Sequence, residues 1–218
     1  MFVGHYGPAL AGKAVAKSVK LWHLFLAVQI VDVFWAIFIM VGIEQARIVP
    51  GFLEASHLDL YHMPYTHSLV ATLVWMLAGF LFYRFVRPGA GLLGAVIIAL
   101  AIGSHWLTDL VVHTRDLPLL IDGPKVGFGL WESLLWSQVV EVGLLLLGLW
   151  LYLRATSPKS LLGRFSPWLL FGFLLLLQAY NHLAPPPMDI LAMAPMALLS
   201  YLLLAGAAAL TDATRDNG

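Results

Sequence analysis

The chain has no cysteine, which excludes disulfides, thiolate metal ligands and cysteine nucleophiles. Charge is almost as scarce. Charged residues fill 11% of the 218 positions, against about a quarter in a soluble domain. The 12 basic and 12 acidic residues cancel, and no basic stripe is present to meet phosphates, so a nucleic-acid partner is not expected. A cleaved signal peptide is not expected either. In MFVGHYGPALAGKAVAKSVK the lysines follow the apolar stretch, the reverse of a secretory leader. Without thiolates, a bound metal must rely on His, Asp, Glu or backbone oxygen, a donor set suited to zinc, iron, manganese or nickel.

What fills the chain instead is apolar. Hydrophobic residues make up 61% and the mean hydropathy is +0.86, the composition of an integral membrane protein. A spanning helix needs about 20 mostly apolar residues, and six such runs are predicted at roughly 21–43, 66–86, 91–114, 131–154, 165–182 and 189–210. Pro50-Gly51, Pro64, Pro88-Gly89, Gly123-Pro124, Ser157-Pro158 and Pro185-Pro186-Pro187 punctuate them. The expected fold is all-α: a polytopic bundle of six transmembrane helices with a short N-terminal helix packed against them. Lys13, Lys17, Lys20, Arg84, Arg87, Arg154, Lys159 and Arg164 lie at one set of span ends. The positive-inside rule therefore places loops 44–65, 115–130 and 183–188 outside. The implied location is a bacterial-type inner membrane, with the N-terminal lysines and the C-terminus on the cytoplasmic side.

Residues 3–19 are rich in small side chains. Gly4, Gly7, Ala11 and Gly12 allow another helix to approach closely. An amphipathic helix lying flat in the interface is one reading; a short helix that enters the bundle and reverses near Lys20 is the one favoured here. With that reversal His5 lies 15 residues before the turn and Asp32 lies 12 after it. At about 1.5 Å per residue both sit roughly 18–22 Å above the turn, at similar depth.

Polar groups gather at that level. In SHWLTDLVVHTRDLPL, residues 104–119, His105, Asp109 and His113 follow one another at i, i+4 and i+8, a spacing that drifts by only about 80° around a helix. His67 opens the neighbouring span on the same side, and Asp32 is the one charged residue inside the first. Ionisable groups within a membrane are rare and usually functional. Three or more His with two Asp suit a hydrolytic metal site, with Thr66, Ser68, Ser104, Thr108 and Gln29 as candidates to orient the ligands. The competing reading is a purely structural hydrogen-bond network. His23, His57 and His182 read as interfacial or hydrogen-bonded histidines, and Trp106, Trp131 and Trp136 as belt or packing residues. Glu141, near mid-span in the fourth helix, is open between joining the site, relaying protons and pairing with a neighbour.

"VGHYGPALAGK", "YHMPYTHSL" and "GSHWLTDLVVHTRDLPLLIDGPKVGFGLW" together resemble the membrane-bound, metal-dependent hydrolase family (the YdjM-like inner-membrane proteins) over about residues 1–155. The matching positions are His5 after Gly, Asp32 in the next helix, Thr66-His67-Ser68, and His105 with Asp109. The order His, Asp, His, His-x-x-x-Asp is also similar to that of zinc-dependent phospholipase C enzymes. Phe34 and Trp35 stand where the family often has a second Asp and a His, and His62-Met63-Pro64 stands for its His-Arg-Gly. Residues 156–212 add two further helices beyond the resemblance.

The resemblance implies a divalent metal, zinc by preference and as one ion or two, held by His5, Asp32, His67, His105 and Asp109. Asp109 and His113 are the candidates for catalysis. The expected activity is hydrolysis of an ester or phosphoester of a lipid-like substrate reached from the outer leaflet. Membrane lipid is the expected partner, with other membrane-protein subunits a further one. Two rivals stand beside it: a non-catalytic subunit of a larger membrane complex whose cluster is structural or vestigial, and a small proton- or ion-coupled transporter using Asp32, Asp109 and Glu141.

Overall fold

Serine and aspartate side chains set where the helices begin. The computed structural model describes residues 1–121 and 123–217. A 3-10 turn, Val3–His5, leads into α1 (Tyr6–Val15); α2 (Leu21–Met40), α3 (Leu69–Val86), α4 (Gly91–Val112), α5 (Leu134–Ala155), α6 (Leu161–Leu183) and α7 (Ile190–Ala213) follow. Ser68, Ser133, Ser160 and Asp189 each precede a helix in extended conformation and accept a hydrogen bond from the third amide beyond, satisfying a donor the helix start would leave orphaned. These caps place the starts of α3 and α5 three residues later than the hydrophobic runs alone suggest, and that of α6 four earlier. α6 also runs through Pro167, whose ring nitrogen cannot bond the carbonyl of Gly163. Arg215 Nη1 donates to that carbonyl at 2.6 Å, while its other nitrogens hold the Thr156 hydroxyl and carbonyl at 2.8 Å.

All six helices from α2 to α7 are long and apolar enough to cross a membrane. Their outward faces carry Leu73, Leu77, Phe82 and Phe85 of α3, Leu107 of α4 and Leu169 and Leu176 of α6, each more than half exposed. On a polytopic bundle these are the surfaces that meet lipid. α2 packs most extensively on α7 and α3 on α4.

α1 is enclosed by α2, α4 and α5, with Val3, Tyr6, Ala9 and Leu10 buried. It meets α5 backbone to backbone. A Cβ added at Gly7 would lie 2.4 Å from the Leu144 carbonyl oxygen, and one at Gly148 would lie 2.3 Å from that of Gly7. The chain then reverses over Ala16–Lys20. Lys13 is buried in this reversal; its Nζ donates to the carbonyls of Lys17 at 3.0 Å and Val19 at 2.8 Å and pairs with Asp212 at 3.3 Å. The hairpin arrangement expected for residues 3–32 is therefore the one observed, with α1 ending at Val15.

Short strands occupy connections that the sequence leaves as loops. β1 (Gln45–Ile48) pairs antiparallel with β2 (Leu58–His62), and β3 (Leu117–Pro118) with β4 (Lys125–Val126). At the opposite end of the bundle β5 (Thr156–Pro158) pairs with β6 (Arg215–Asn217). After β4 the chain crosses the end of α4 so closely that a Cβ at Gly127 would fall 1.7 Å from the Thr114 carbonyl oxygen. That passage lets Phe128 and Gly129 donate their amides to the carbonyls of Leu110 at 2.9 Å and His113 at 2.7 Å, closing the helix terminus that presents His113.

Candidate metal centre

Four stretches of the chain deliver polar side chains to one end of the bundle. The turn before α1 brings His5, mid-α2 brings Asp32, the residue before the α3 cap is His67, and the last turns of α4 with the residue beyond them bring His105, Asp109 and His113. His5, His67, His105, Asp109 and His113 are all buried. His5 Nε2 lies 3.2 Å from Asp109 Oδ1, and His105 Nε2 lies 3.1 Å from Asp109 Oδ2 and 3.5 Å from Asp32 Oδ1. His67 Nε2 lies 3.1 Å from Asp32 Oδ1 and 3.8 Å from Asp109 Oδ2, and His113 Nε2 lies 3.6 Å from the same Asp109 oxygen. The rings of His5 and His105 stack at 3.8 Å between centroids. The Met1 backbone nitrogen also reaches Asp109 Oδ1, at 2.6 Å.

The outer nitrogens assign the tautomers. Thr66 Oγ1 donates to Glu44 Oε2 at 2.6 Å, so it must accept from His67 Nδ1 at 2.7 Å. Thr108 Oγ1 donates to helix carbonyls of Ser104 and His105 and accepts from His5 Nδ1 at 2.8 Å. His105 Nδ1 donates to the Val28 carbonyl at 2.6 Å and His113 Nδ1 to Asp116 Oδ1 at 2.9 Å. Each neutral ring therefore carries its proton on Nδ1 and turns an Nε2 lone pair inward. Four lone pairs converge on two carboxylates there, and the Met1 ammonium on Asp109 offsets only part of that negative charge. His5 Nε2 and His105 Nε2 are buried with no hydrogen-bond partner among the described residues.

The spacing leaves room for an ion, although His67 Nε2 and Asp32 Oδ1 also lie within hydrogen-bond reach at 3.1 Å. Ligands about 2.0–2.2 Å from a tetrahedral zinc lie about 3.3–3.6 Å from one another, whereas charge-assisted hydrogen bonds close to about 2.7–2.9 Å. The inward His–Asp distances run from 3.1 to 3.8 Å. Two groups can each hold a metal, His5 with His105 and Asp109, and Asp32 with His67 and His105. They share His105, whose single inward lone pair serves one ion at a time, so the two groups are not independent sites.

Three partners had no signal in the sequence. Glu44, buried, accepts from the amides of Tyr65 at 2.8 Å and Thr66 at 2.9 Å as well as from the Thr66 hydroxyl. Tyr201 donates to Asp32 Oδ2 at 3.2 Å, which leaves Oδ1 for the cluster, and Asp116 orients His113. Of the residues expected to orient ligands, Thr66 and Thr108 do so. Ser68 caps α3, Ser104 donates to the Ala101 carbonyl at 2.7 Å, and Gln29 is buried without bonding the cluster among the described residues. Glu141 accepts from the amides of Phe2 at 2.8 Å and Gly4 at 3.3 Å, so it holds the turn that carries His5. His23, His57 and His182 stand apart, bonded to Tyr83, the Gly51 amide and Gln138. Trp106 donates to the His67 carbonyl at 3.0 Å and Trp131 packs on His113 at 4.4 Å, while Trp136 lies 59% exposed.

A cavity of about 420 Å³ opens from the cluster, with Asp32, His67, Asp109 and His113 in its wall. Its far side is built from the end of α6, the start of α7 and the proline-rich connection between them. No family model, characterised protein or solved structure matches this chain.

Proposed function

We propose that the protein is a metal-dependent membrane hydrolase that cleaves an ester or phosphoester bond of a lipid-like substrate at the outer-leaflet side. The observation that carries this reading is the set of four Nε2 lone pairs, each fixed by a partner on Nδ1, turned inward onto two carboxylates beside a cavity of substrate size. His5, His67, His105, Asp32 and Asp109 would hold the ion, zinc being the divalent metal that His and Asp donors at this spacing suit best. Such an ion supplies Lewis-acid polarisation of the bond to be cleaved. The chain itself supplies position and dryness. The second layer of Glu44, Thr66, Thr108, the Val28 carbonyl and Tyr201 fixes each donor, and Trp131 shields His113. The resemblance to the membrane-bound, metal-dependent hydrolases points the same way, as does a basic end of the bundle lying in the cytoplasm with the cluster toward the outer leaflet.

The test is metal analysis of the purified full chain beside His105→Ala, followed by hydrolysis assays on ester and phosphoester lipids. Stoichiometric divalent metal, its loss in the variant and a His105-dependent hydrolysis are expected. Full metal occupancy with no hydrolysis of any lipid would replace this reading with a structural metal centre in a non-catalytic subunit.

A further inference from the structure

The walls of the cavity carry a charge pattern that narrows its ligand. Phosphate and phosphodiester groups are held by metal ions together with arginine forks, lysines or free helix amides that carry the remaining charge. Among the described residues that line this cavity there is no Lys and no Arg; the charged side chains are Asp32, Asp109 and Glu141. The Met1 ammonium on Asp109 and a single divalent ion would together only balance these three carboxylates, so the lining keeps no surplus positive charge to draw in an anionic ester. The rest of the lining is apolar or neutral. Trp35, Leu60, Met63 and Trp131 line it together with Met193 and Ala197 of α7, while Gln178, Asn181 and Ser200 add uncharged polar groups. Methionine side chains adapt to an aliphatic chain at little cost.

We infer that the ligand is an uncharged aliphatic ester, a fatty acyl group joined to a neutral alcohol, and not a phosphoester. The inference rests on the hydrolase reading and specifies its substrate class. The reaction balances with water as the only co-reactant. The water oxygen bonds to the acyl carbon, the bond from that carbon to the alcohol oxygen breaks, and the alcohol oxygen takes up the proton given by the water, leaving fatty acid and alcohol. The acyl chain lies along the Trp35, Met63 and Met193 walls with its ester at the His/Asp end.

Full-length protein in detergent, loaded with zinc, is given para-nitrophenyl laurate, para-nitrophenyl acetate and bis(para-nitrophenyl) phosphate, each beside His105→Ala. Laurate is hydrolysed in a His105-dependent manner and the phosphate diester is not. Filling the cavity with Ala197→Trp or Met193→Trp raises KM for laurate by about tenfold or more, a larger change than either makes for acetate. His105-dependent cleavage of the phosphate diester with none of laurate overturns this inference and leaves the hydrolase reading standing. Cleavage of neither ester, with metal bound, overturns both. Equal effects of the two fillings on laurate and acetate overturn the placement of the chain. Should neither filled variant fold, inhibition of the unaltered protein decides: dodecanol competes with laurate more tightly than dodecyl phosphate, and the reverse order overturns the inference.

Discussion

Replacing Thr66 by Val isolates the link between the buried acid Glu44 and the ligand His67. The hydroxyl does two things at once, donating to Glu44 Oε2 at 2.6 Å and accepting from His67 Nδ1 at 2.7 Å. In Thr66→Val the carboxylate keeps the amides at positions 65 and 66 but loses its third donor, at about 1.5–3 kcal/mol for a bond to a charged group. The imidazole loses the acceptor that fixes its tautomer, which lowers metal affinity by about 10–100-fold. These effects separate in one assay. At a zinc concentration about 100 times the wild-type Kd, binding stabilises the wild-type fold by about 2.7 kcal/mol, and the weakened variant by only about 0.4–1.4 kcal/mol. Thermal unfolding in detergent followed by tryptophan fluorescence, with and without zinc, reads both quantities, and competition with a chromophoric chelator gives the Kd directly. Thr66→Ser should restore affinity. If Thr66→Val loses stability without metal yet binds zinc within about twofold of the wild type, Glu44 and Thr66 serve the fold alone and His67 is not a ligand.

Further expectations follow from the same geometry. His105→Ala removes the lone pair common to both candidate groups, so metal content should fall to near zero by elemental analysis, whereas His57→Ala and His182→Ala should retain it. Gly148→Ala drives a methyl onto the Gly7 carbonyl; the clash is with backbone, so the cost should exceed the usual 1–3 kcal/mol of overpacking and metal should be lost with every ligand intact. Acidification should release the metal, because an imidazole must be free of its Nε2 proton to bind; metal content independent of pH would remove imidazoles from the ligand set. Reporters fused after residue 215 and within the connection between α3 and α4 should report the same side of the membrane, and one in loop 50–60 the other.

How far the sequence could be read depended on the range of each interaction. The six spans follow from composition along the chain, and the His105, Asp109, His113 stripe follows from helical period, so both were legible. The placement of His5 followed from equal heights above a common turn. Glu44 gave no signal because its partners lie 21 and 22 residues away, across a hairpin whose pairing depends on register. Tyr201 meets Asp32 from 169 positions away, through the packing of α7 on α2 that no local pattern encodes. Lys13 reads as one more cationic loop residue, yet the turn carbonyls and Asp212 bury it. Helix starts moved because capping side chains, not hydrophobicity, decide the first amide that needs a partner.

The seating of α1 sets an order of events during synthesis. Its turn is held by Glu141, 137 residues downstream of Gly4, and its glycine face closes only against Leu144 and Gly148 of α5. At about 5–20 residues per second, the ribosome needs about 7–27 seconds after making His5 before the helix that secures it exists. A nascent chain halted after α4 already carries Asp32, His67, His105 and Asp109, but it lacks the α5 contacts that close over the turn carrying His5. Uptake by the group that includes His5 thereby becomes a late readout of insertion, available only to chains whose fourth spanning helix, α5, has arrived.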